Sequence, residues 1–136
     1  MENNFFELNI ETKKRIEFVD VTARVLDIVK KTDVKNGVCY IYVPHTTCAL
    51  TINENADPDV VKDLEMGLSD IVRDELSYRH SEGNSPAHLK SSLLGASQII
   101  LINDCKFILG VWQAVYFCEF DGPRNRRLFV KIVNDR

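Results

Sequence analysis

The fold is decided by a ten-residue stretch that reads Val111-Trp112-Gln113-Ala114-Val115-Tyr116-Phe117-Cys118-Glu119-Phe120. β-Branched and aromatic residues dominate this stretch, which is typical of a strand. Successive side chains of a strand point to opposite faces, and here both faces are mostly apolar. We therefore predict a buried strand in which Gln113 and Glu119 are polar interruptions.

Glu119 carries the most chemical information of the two. A buried carboxylate is unfavourable unless it is ion-paired or bound to a metal. Arg124 follows the Asp121-Gly122-Pro123 turn and is a natural partner. Two interpretations stay open: a structural ion pair between Glu119 and an arginine, or a functional site at the end of a strand.

Further strands and helices are predicted outward from this stretch. The helices begin after Asp20 and after Asp57-Pro58, and a short helix runs from Ser85-Pro86 to about Gly95. The second helix has an apolar stripe at Val61, Leu64, Leu68, Ile71 and Leu76. Strand patterns occur at 6–10, 16–19, 38–43, 49–52, 99–102, 107–109 and 127–133. The sequence predicts one compact α+β domain over residues 1–136, mostly an antiparallel curled sheet or open barrel with two main helices.

Composition and charge exclude several classes of protein. The chain has 136 residues, of which 45% are hydrophobic, so disorder is not expected. The net charge of −3 provides no positive excess for nucleic-acid binding, and no apolar run is long enough to span a membrane. The start of the chain lacks the basic and apolar parts of a secretory signal. We therefore expect a cytoplasmic protein with reduced cysteines.

All three histidines fall between residues 45 and 88, at loops or element ends. Imidazoles are common metal ligands, and they also bind and protonate phosphate oxygens. The spacing of His45, His80 and His88 fits no zinc finger and no HExxH helix. On spacing alone, unrelated surface histidines remain an alternative.

Polar residues follow the strand at 49–52, in the run Asn53-Glu54-Asn55-Ala56-Asp57. Oxygen ligands at a strand end could hold Mg²⁺. Alternatively, Asp57 only caps its helix and the asparagines only shape the turn. A second candidate site lies near the short helix, where Lys90, Ser91 and Ser92 follow His88. Together with Arg124 these residues form a candidate phosphate site, although the chain has no Walker A loop.

Several segments together resemble the YjbQ-like family. They are HTTCALTINEN (45–55), YRH (78–80), Asn84, HLKSSLLG (88–95), LGVWQ (109–113) and EFDGPR (119–124). One departure is the hairpin after Ile102, which usually carries a glycine and here reads Asn103-Asp104-Cys105-Lys106. We expect Asn103 or Asp104 to take the positive φ values instead.

The resemblance implies a compact α+β fold, often trimeric, and secondary thiamine-phosphate synthase activity. That transferase joins hydroxymethylpyrimidine diphosphate to thiazole phosphate and releases diphosphate. The alternative is a non-catalytic module that binds a metal or a phosphate ligand. The implied partners are small phosphorylated molecules and further copies of the chain in a homotrimer, and not nucleic acid or a membrane.

The resemblance also implies roles for individual residues. His45, His88, Glu54 and Glu119 are the catalytic candidates. The substrate-binding candidates are Asn53, Asn84, Lys90, Ser92, Gln113 and Arg124. A divalent metal is expected, either zinc or a transition metal on His45, His80 and His88, or Mg²⁺ on Glu54, Asp57 and Asp121. We expect the three imidazoles to converge, with Asn53 or Glu54 nearby.

Local charge gives a weak indication of self-association. Residues 53–75 hold eight acidic and two basic side chains, whereas residues 123–136 hold five basic and one acidic side chain. In a closed cyclic assembly, an acidic face of one subunit could meet a basic face of the next.

Overall fold

Two antiparallel sheets form the frame of the protein. In the computed structural model, which describes residues 3–135, the strands are β1 (Phe5–Glu11), β2 (Glu17–Asp20), β3 (Gly37–Tyr42), β4 (Cys48–Glu54), β5 (Ser97–Asn103), β6 (Lys106–Phe107), β7 (Gln113–Glu119) and β8 (Asn125–Asn134). The five-stranded sheet has the order β1-β8-β3-β5-β6, and the three-stranded sheet has the order β2-β7-β4. Arg136 of the basic segment lies outside the described residues.

Three helices accompany the sheets: α1 (Thr22–Lys30), α2 (Pro58–Ile71) and α3 (Ser85–Leu94). Asp57 is the N-cap of α2, as predicted, and its Oδ1 accepts the Asp59 N–H at 2.9 Å. The N-cap predicted at Asp20 is wrong by one residue: α1 has Val21 there, and Asp20 Oδ1 accepts the Thr22 N–H at 3.0 Å from the preceding position. α2 ends at Ile71, so Leu76 lies beyond the helix and outside its predicted stripe. Within residues 3–135, no helix is long and apolar enough to cross a membrane.

β7 is the central strand of the molecule because it is buried on both faces. Val115 and Phe117 pack into the main core between the sheets, which also includes the apolar side of α1. Tyr116 and Cys118 pack into a second cluster on the other face, with Leu68 of α2 and Leu94 of α3. This arrangement confirms the predicted α+β class and the two-sided burial of the strand.

The β4–β7 pair has two ends that matter for function. The pair runs antiparallel from Cys48 opposite Glu119 to Glu54 opposite Gln113. At about 3.3 Å per residue these ends lie roughly 20 Å apart. We call them the Glu119 end and the Gln113 end.

The β5–β6 hairpin closes without glycine. Asp104 and Cys105 adopt φ values of 51° and 63°. Positive φ at both central residues of a two-residue turn matches the twist of the strands. The positive φ predicted for Asp104 is confirmed. The second residue with a positive φ is Cys105 and not Asn103.

Candidate functional site

A polar cleft with a volume of about 400 Å³ opens at the Glu119 end of the β4–β7 pair. Its walls come from three segments that are distant in sequence: the loop before β4, the loop and first turn of α3, and the turn between β7 and β8. Among the residues that line it are His45, His80, Glu82, Asn84, His88, Asp121, Arg124 and Arg126. The cleft thus collects all three histidines of the chain.

The floor of the cleft is a buried ion pair between Glu119 and Arg126, whose side chains are 0% and 5% exposed. Arg126 donates from Nε to Glu119 Oε1 at 2.8 Å and from Nη2 to Oε2 at 2.5 Å. Thr12 Oγ1, Cys48 Sγ and the Asp121 N–H also donate to this carboxylate. The hydrogen-bonding capacity of both Glu119 carboxylate oxygens is therefore filled within the protein.

Burial by itself raises the pKa of Glu119, but the hydrogen bonds from Arg126 and Thr12 outweigh burial and hold this pKa below its ordinary value. Glu119 is an ionised structural group whose partner is Arg126. Arg124, which the sequence suggested as the partner, does not contact it. The catalytic role predicted for Glu119 remains without support from this geometry.

Arg124 lies at the rim of the cleft instead. Its guanidinium donates from Nε to the carbonyl oxygen of Asp121 at 2.9 Å and from Nη2 to Asp121 Oδ2 at 2.8 Å. Its backbone N–H donates to Thr12 Oγ1 at 2.9 Å. The side chain is 53% exposed, and Nη1 makes no hydrogen bond to any described residue. Arg124 is therefore held in place on one side and open on the other.

Asn84 connects this turn to the start of α3. Its Nδ2 donates to Asp121 Oδ2 at 2.9 Å, so the side chain does not cap its own helix. Its Oδ1 is buried without a hydrogen-bond partner among the described residues. The Ala87 N–H donates to the backbone carbonyl of Asn84 at 3.0 Å and Pro86 has no N–H, so the start of α3 brings the Asn84 side chain to the cleft and not free N–H groups.

The three imidazoles differ in their surroundings. The rings of His80 and His88 meet edge to face, with centroids 5.4 Å apart. His45 Nε2 accepts the backbone N–H of Arg127 at 2.9 Å, so in the neutral ring Nδ1 carries the proton. Burial and the nearby Arg126 and Arg127 charges lower the pKa of His45, which keeps this ring neutral at pH 7.

These donors do not fit the expected metal. His45 Nε2 is already engaged by a backbone N–H, and no group of three or more His, Cys, Asp or Glu side chains within residues 3–135 could hold a metal ion. The predicted magnesium ligands are also apart: Asp57 caps α2 and Asp121 is paired with Arg124 near the opposite end of β4. The prediction of a metal-binding protein is therefore wrong for this geometry.

Three other predicted site residues lie at the Gln113 end, away from the cleft. Asn53 Oδ1 accepts the Glu54 N–H at 2.7 Å, and Gln113 Oε1 accepts the Gly110 N–H at 2.7 Å. The backbone carbonyl of Glu54 accepts the Tyr116 hydroxyl. These residues shape the local backbone, and within one chain they do not join the histidines. The expected proximity of Asn53 or Glu54 to the imidazoles is not observed.

Lys90 and Ser92 occupy different positions on α3. Lys90 is buried, with Nζ 3.4 Å from Ser69 Oγ and 5.9 Å from the centroid of the Phe120 ring, and it does not line the cleft. Ser92 donates to the carbonyl oxygen of its own helix at His88. Ser92 lines a smaller lobe beside the cleft, so of these two residues only Ser92 borders a space that a ligand could enter.

Arg126 and Thr12 are the residues that sequence reasoning missed. A signal for Arg126 was present, because it alternates with Leu128, Val130 and Ile132 on the buried face of β8. An arginine on a buried face requires a buried acid, and Glu119 is the acid of β7. Thr12 gave no comparable signal, because its importance depends on β1 pairing with β8.

Comparisons with known proteins address the identity of the chain. A UPF0047 protein of Methanocaldococcus jannaschii is 50% identical over 131 residues, which cover 96% of this chain and 95% of that protein. YugU of Bacillus subtilis is 48% identical over 127 residues, 93% of this chain and 96% of that protein.

Solved structures point to the same family as these relatives. An uncharacterised YjbQ/UPF0047 protein from Clostridium acetobutylicum superimposes with a TM-score of 0.92 at 46% identity, covering 94% of this chain and 99% of that one. A YbjQ-like protein of unknown function from Sulfolobus solfataricus gives a TM-score of 0.92 at 32% identity, with 96% of each chain covered.

The predicted thiamine-phosphate synthase activity is wrong, and so is the assignment to thiamine biosynthesis and to the transferases. These relatives are UPF0047 proteins, and the solved ones are described as uncharacterised or of unknown function. The comparisons therefore establish a family and no enzymatic activity. The sequence model of the family described as UPF0047 protein YjbQ-like matches residues 6–135, and the chain belongs to that family.

Proposed function

We propose that the cleft binds the phosphate group of a small phosphorylated molecule. One observation carries the proposal: a half-exposed guanidinium and three imidazoles meet in one cleft. A guanidinium binds phosphate oxygens through parallel hydrogen bonds, and imidazoles bind the same oxygens.

The acids of the cleft are paired, which leaves hydrogen-bond donors free for an anion. Asp121 is paired with Arg124 and the buried Glu119 with Arg126, while the exposed Glu82 lies 3.9 Å from His80. The uncommitted donors are Arg124 Nη1 and the proton-bearing nitrogens of the imidazoles. Neutral His45 adds a hydrogen-bond donor at Nδ1 without the cost of protonation.

The test is calorimetric titration with inorganic phosphate at low ionic strength. Arg124→Ala should weaken binding at least about tenfold, because a hydrogen bond to a charged group contributes about 1.5–3 kcal/mol. Arg127→Ala is a matched control: its side chain is also 53% exposed, it lies three residues later in β8, and it pairs with Glu7 instead.

We expect the control to change phosphate affinity no more than about twofold, through general electrostatics alone. An equal loss in both variants would show that net charge and not the cleft attracts phosphate. Failure of the unaltered protein to bind phosphate at millimolar concentration would overturn the proposal.

We also propose that the protein is a homotrimer whose subunits meet on the outer face of the five-stranded sheet. Apolar side chains on this face stay exposed in the single chain: Tyr40, Tyr42, Ile99, Leu101 and Val133. Tyr40 pairs with Ile99, and Val133 and Leu101 lie on either side of Val38, so the surface is continuous across three strands. Continuous apolar patches of this kind usually mark protein interfaces.

Light scattering should give about three times the chain mass of 15.6 kDa at micromolar concentration. Leu101→Glu should reduce that mass, because it places a charge inside the proposed interface. Val111→Glu is the control, since Val111 is 90% exposed in the loop before β7 and not on this sheet face. A monomeric unaltered protein would contradict the proposal.

A further inference from the structure

The cleft continues into a second lobe of different chemical character. His45, Thr46 and His88 line both spaces, so the two are adjacent. The second space, which we call the side lobe, has a volume of about 360 Å³ and is completed by Cys48, Ser91, Ser92, Gly95 and Ala96. A ligand bound by its phosphate in the cleft would extend into this lobe.

Among the residues that the structure describes, the side lobe has no acidic or basic side chain apart from its two shared histidines. The described residues that line it include no Asp, Glu, Lys or Arg. Burial and the neighbouring Glu119 carboxylate raise the pKa of Cys48, so its thiol stays protonated and donates to that carboxylate. A charged group entering this space would lose hydration and find no opposite charge.

Ser91 gives the side lobe a specific polar group. The residue is 9% exposed, and its Oγ has no hydrogen-bond partner among the described residues. Buried hydroxyls are normally hydrogen-bonded, so this one is an exception that requires a reason. Ser92, its neighbour on α3, donates to a backbone carbonyl of the helix instead.

We propose that the side lobe holds the organic part of the phosphorylated ligand, and that this part is small, uncharged and carries a hydroxyl that bonds to Ser91. The ligand class is therefore a polyol or sugar phosphate. This inference rests on the proposed function of the cleft and specifies which phosphorylated molecules the cleft takes. Ser91 acts as a specificity-determining residue, while Arg124 supplies the phosphate contact.

Three probes test the inference by calorimetry: inorganic phosphate, glycerol phosphate and phosphoglycerate. The last two have carbon chains of equal length, and one carries a hydroxyl where the other carries a carboxylate. Glycerol phosphate should bind about fivefold tighter than inorganic phosphate, as one net hydrogen bond predicts. Phosphoglycerate should bind no tighter than inorganic phosphate.

Ser91→Ala should remove the advantage of glycerol phosphate and leave the affinity for inorganic phosphate unchanged, which also shows that the variant folds. Ser97→Ala is the control, because Ser97 is exposed on β5 and lines neither space. The Ser97→Ala variant should still bind glycerol phosphate more tightly than inorganic phosphate.

The two proposals fail in different ways. If the unaltered protein binds no phosphate, the proposed function falls and the inference falls with it. If phosphate binds but glycerol phosphate gains nothing, or gains equally in Ser91→Ala, only the inference is overturned. Tighter binding of phosphoglycerate than of glycerol phosphate would also overturn it, because the side lobe would then accept charge.

Discussion

Both ends of the β4–β7 pair carry polar residues, but the polar side chains are buried at one end and exposed or half-buried at the other. At each end a polar residue interrupts or closes an apolar strand: Glu119 at one, and Gln113 opposite Glu54 at the other. At the Glu119 end the carboxylate is buried and bonded to Thr12, which directly follows β1, and to side chains of β4 and β8. At the Gln113 end they are exposed or half-buried and bond to the nearby backbone.

Both strand ends carry polar residues, so the presence of a polar residue does not by itself predict a site. Burial of that residue does. A buried carboxylate must recruit partners from distant segments, and those segments then form the walls of the cleft. A solvated amide needs only the nearest N–H group, so it organises one turn. Four changes to the chain or the pH test this difference between the two ends.

Removing the arginine of the buried pair should have the largest effect. Arg126→Ala leaves the Glu119 carboxylate buried without its main partner, and we expect the free energy of unfolding to fall by about 3–5 kcal/mol. Urea denaturation measures this loss. Arg124→Ala should cost less than about 1 kcal/mol, because its pair with Asp121 is exposed.

A double variant shows whether Arg126→Ala is destabilising because Glu119 is left charged and unpaired or because side-chain packing is lost. Replacing the pair by Glu119→Leu with Arg126→Met should be more stable than Arg126→Ala alone, because no buried charge remains. If Arg126→Ala costs as little as Arg124→Ala, the Glu119 end is not controlled by its buried pair and the comparison fails.

The second largest effect should come from Thr12, which connects the pair to the Arg124 turn. Thr12→Val removes the donor to Glu119 and the acceptor for the Arg124 N–H, which should cost about 1–3 kcal/mol. Phosphate affinity should fall as well, because Arg124 loses its anchor. Thr12→Ser should restore both properties, and a stable Thr12→Val variant with full affinity would contradict the connection.

At the Gln113 end a comparable deletion should have a small effect. Gln113→Ala removes one exposed hydrogen bond to Gly110, for an expected loss of about 0.5 kcal/mol in thermal or urea unfolding. Phosphate affinity should stay at the level of the unaltered protein. A loss above about 2 kcal/mol, or weakened phosphate binding, would place the Gln113 end in the same functional unit as the cleft.

The pH dependence should be the smallest effect. The pKa of His45 in the folded protein lies below its ordinary value of 6.5, so the unfolded chain binds the proton more tightly. Stability is therefore fully present above about pH 6.5 and falls as the pH drops below it, when protonation breaks the bond from the Arg127 N–H. His45→Gln keeps an acceptor and does not titrate.

Unfolding measured between about pH 8 and about pH 5 should thus show a steeper loss in the unaltered protein than in His45→Gln. Parallel curves for the two proteins would show that His45 does not contribute to the acid sensitivity of the Glu119 end.

Local sequence patterns predict most of the helices and strands and part of their burial. The alternation at 111–120 predicts a strand buried on both faces, and Val115 and Tyr116 do face different cores. Asp57-Pro58 predicts the start of α2, where the carboxylate caps the helix. These features are local. The alternation of side chains along a strand involves only neighbouring residues, and so does the hydrogen bond between a capping side chain and the N–H two residues later.

Which polar residues come together in the cleft depends on how the two sheets pack. Glu119 pairs with Arg126 and not with the nearer Arg124, because β7 and β8 belong to different sheets and the inward face of β8 carries Arg126. The same packing puts Asn84 against Asp121, and it separates Glu54 from the histidines along β4. Such contacts depend on how two sheets face each other, which no local periodicity specifies.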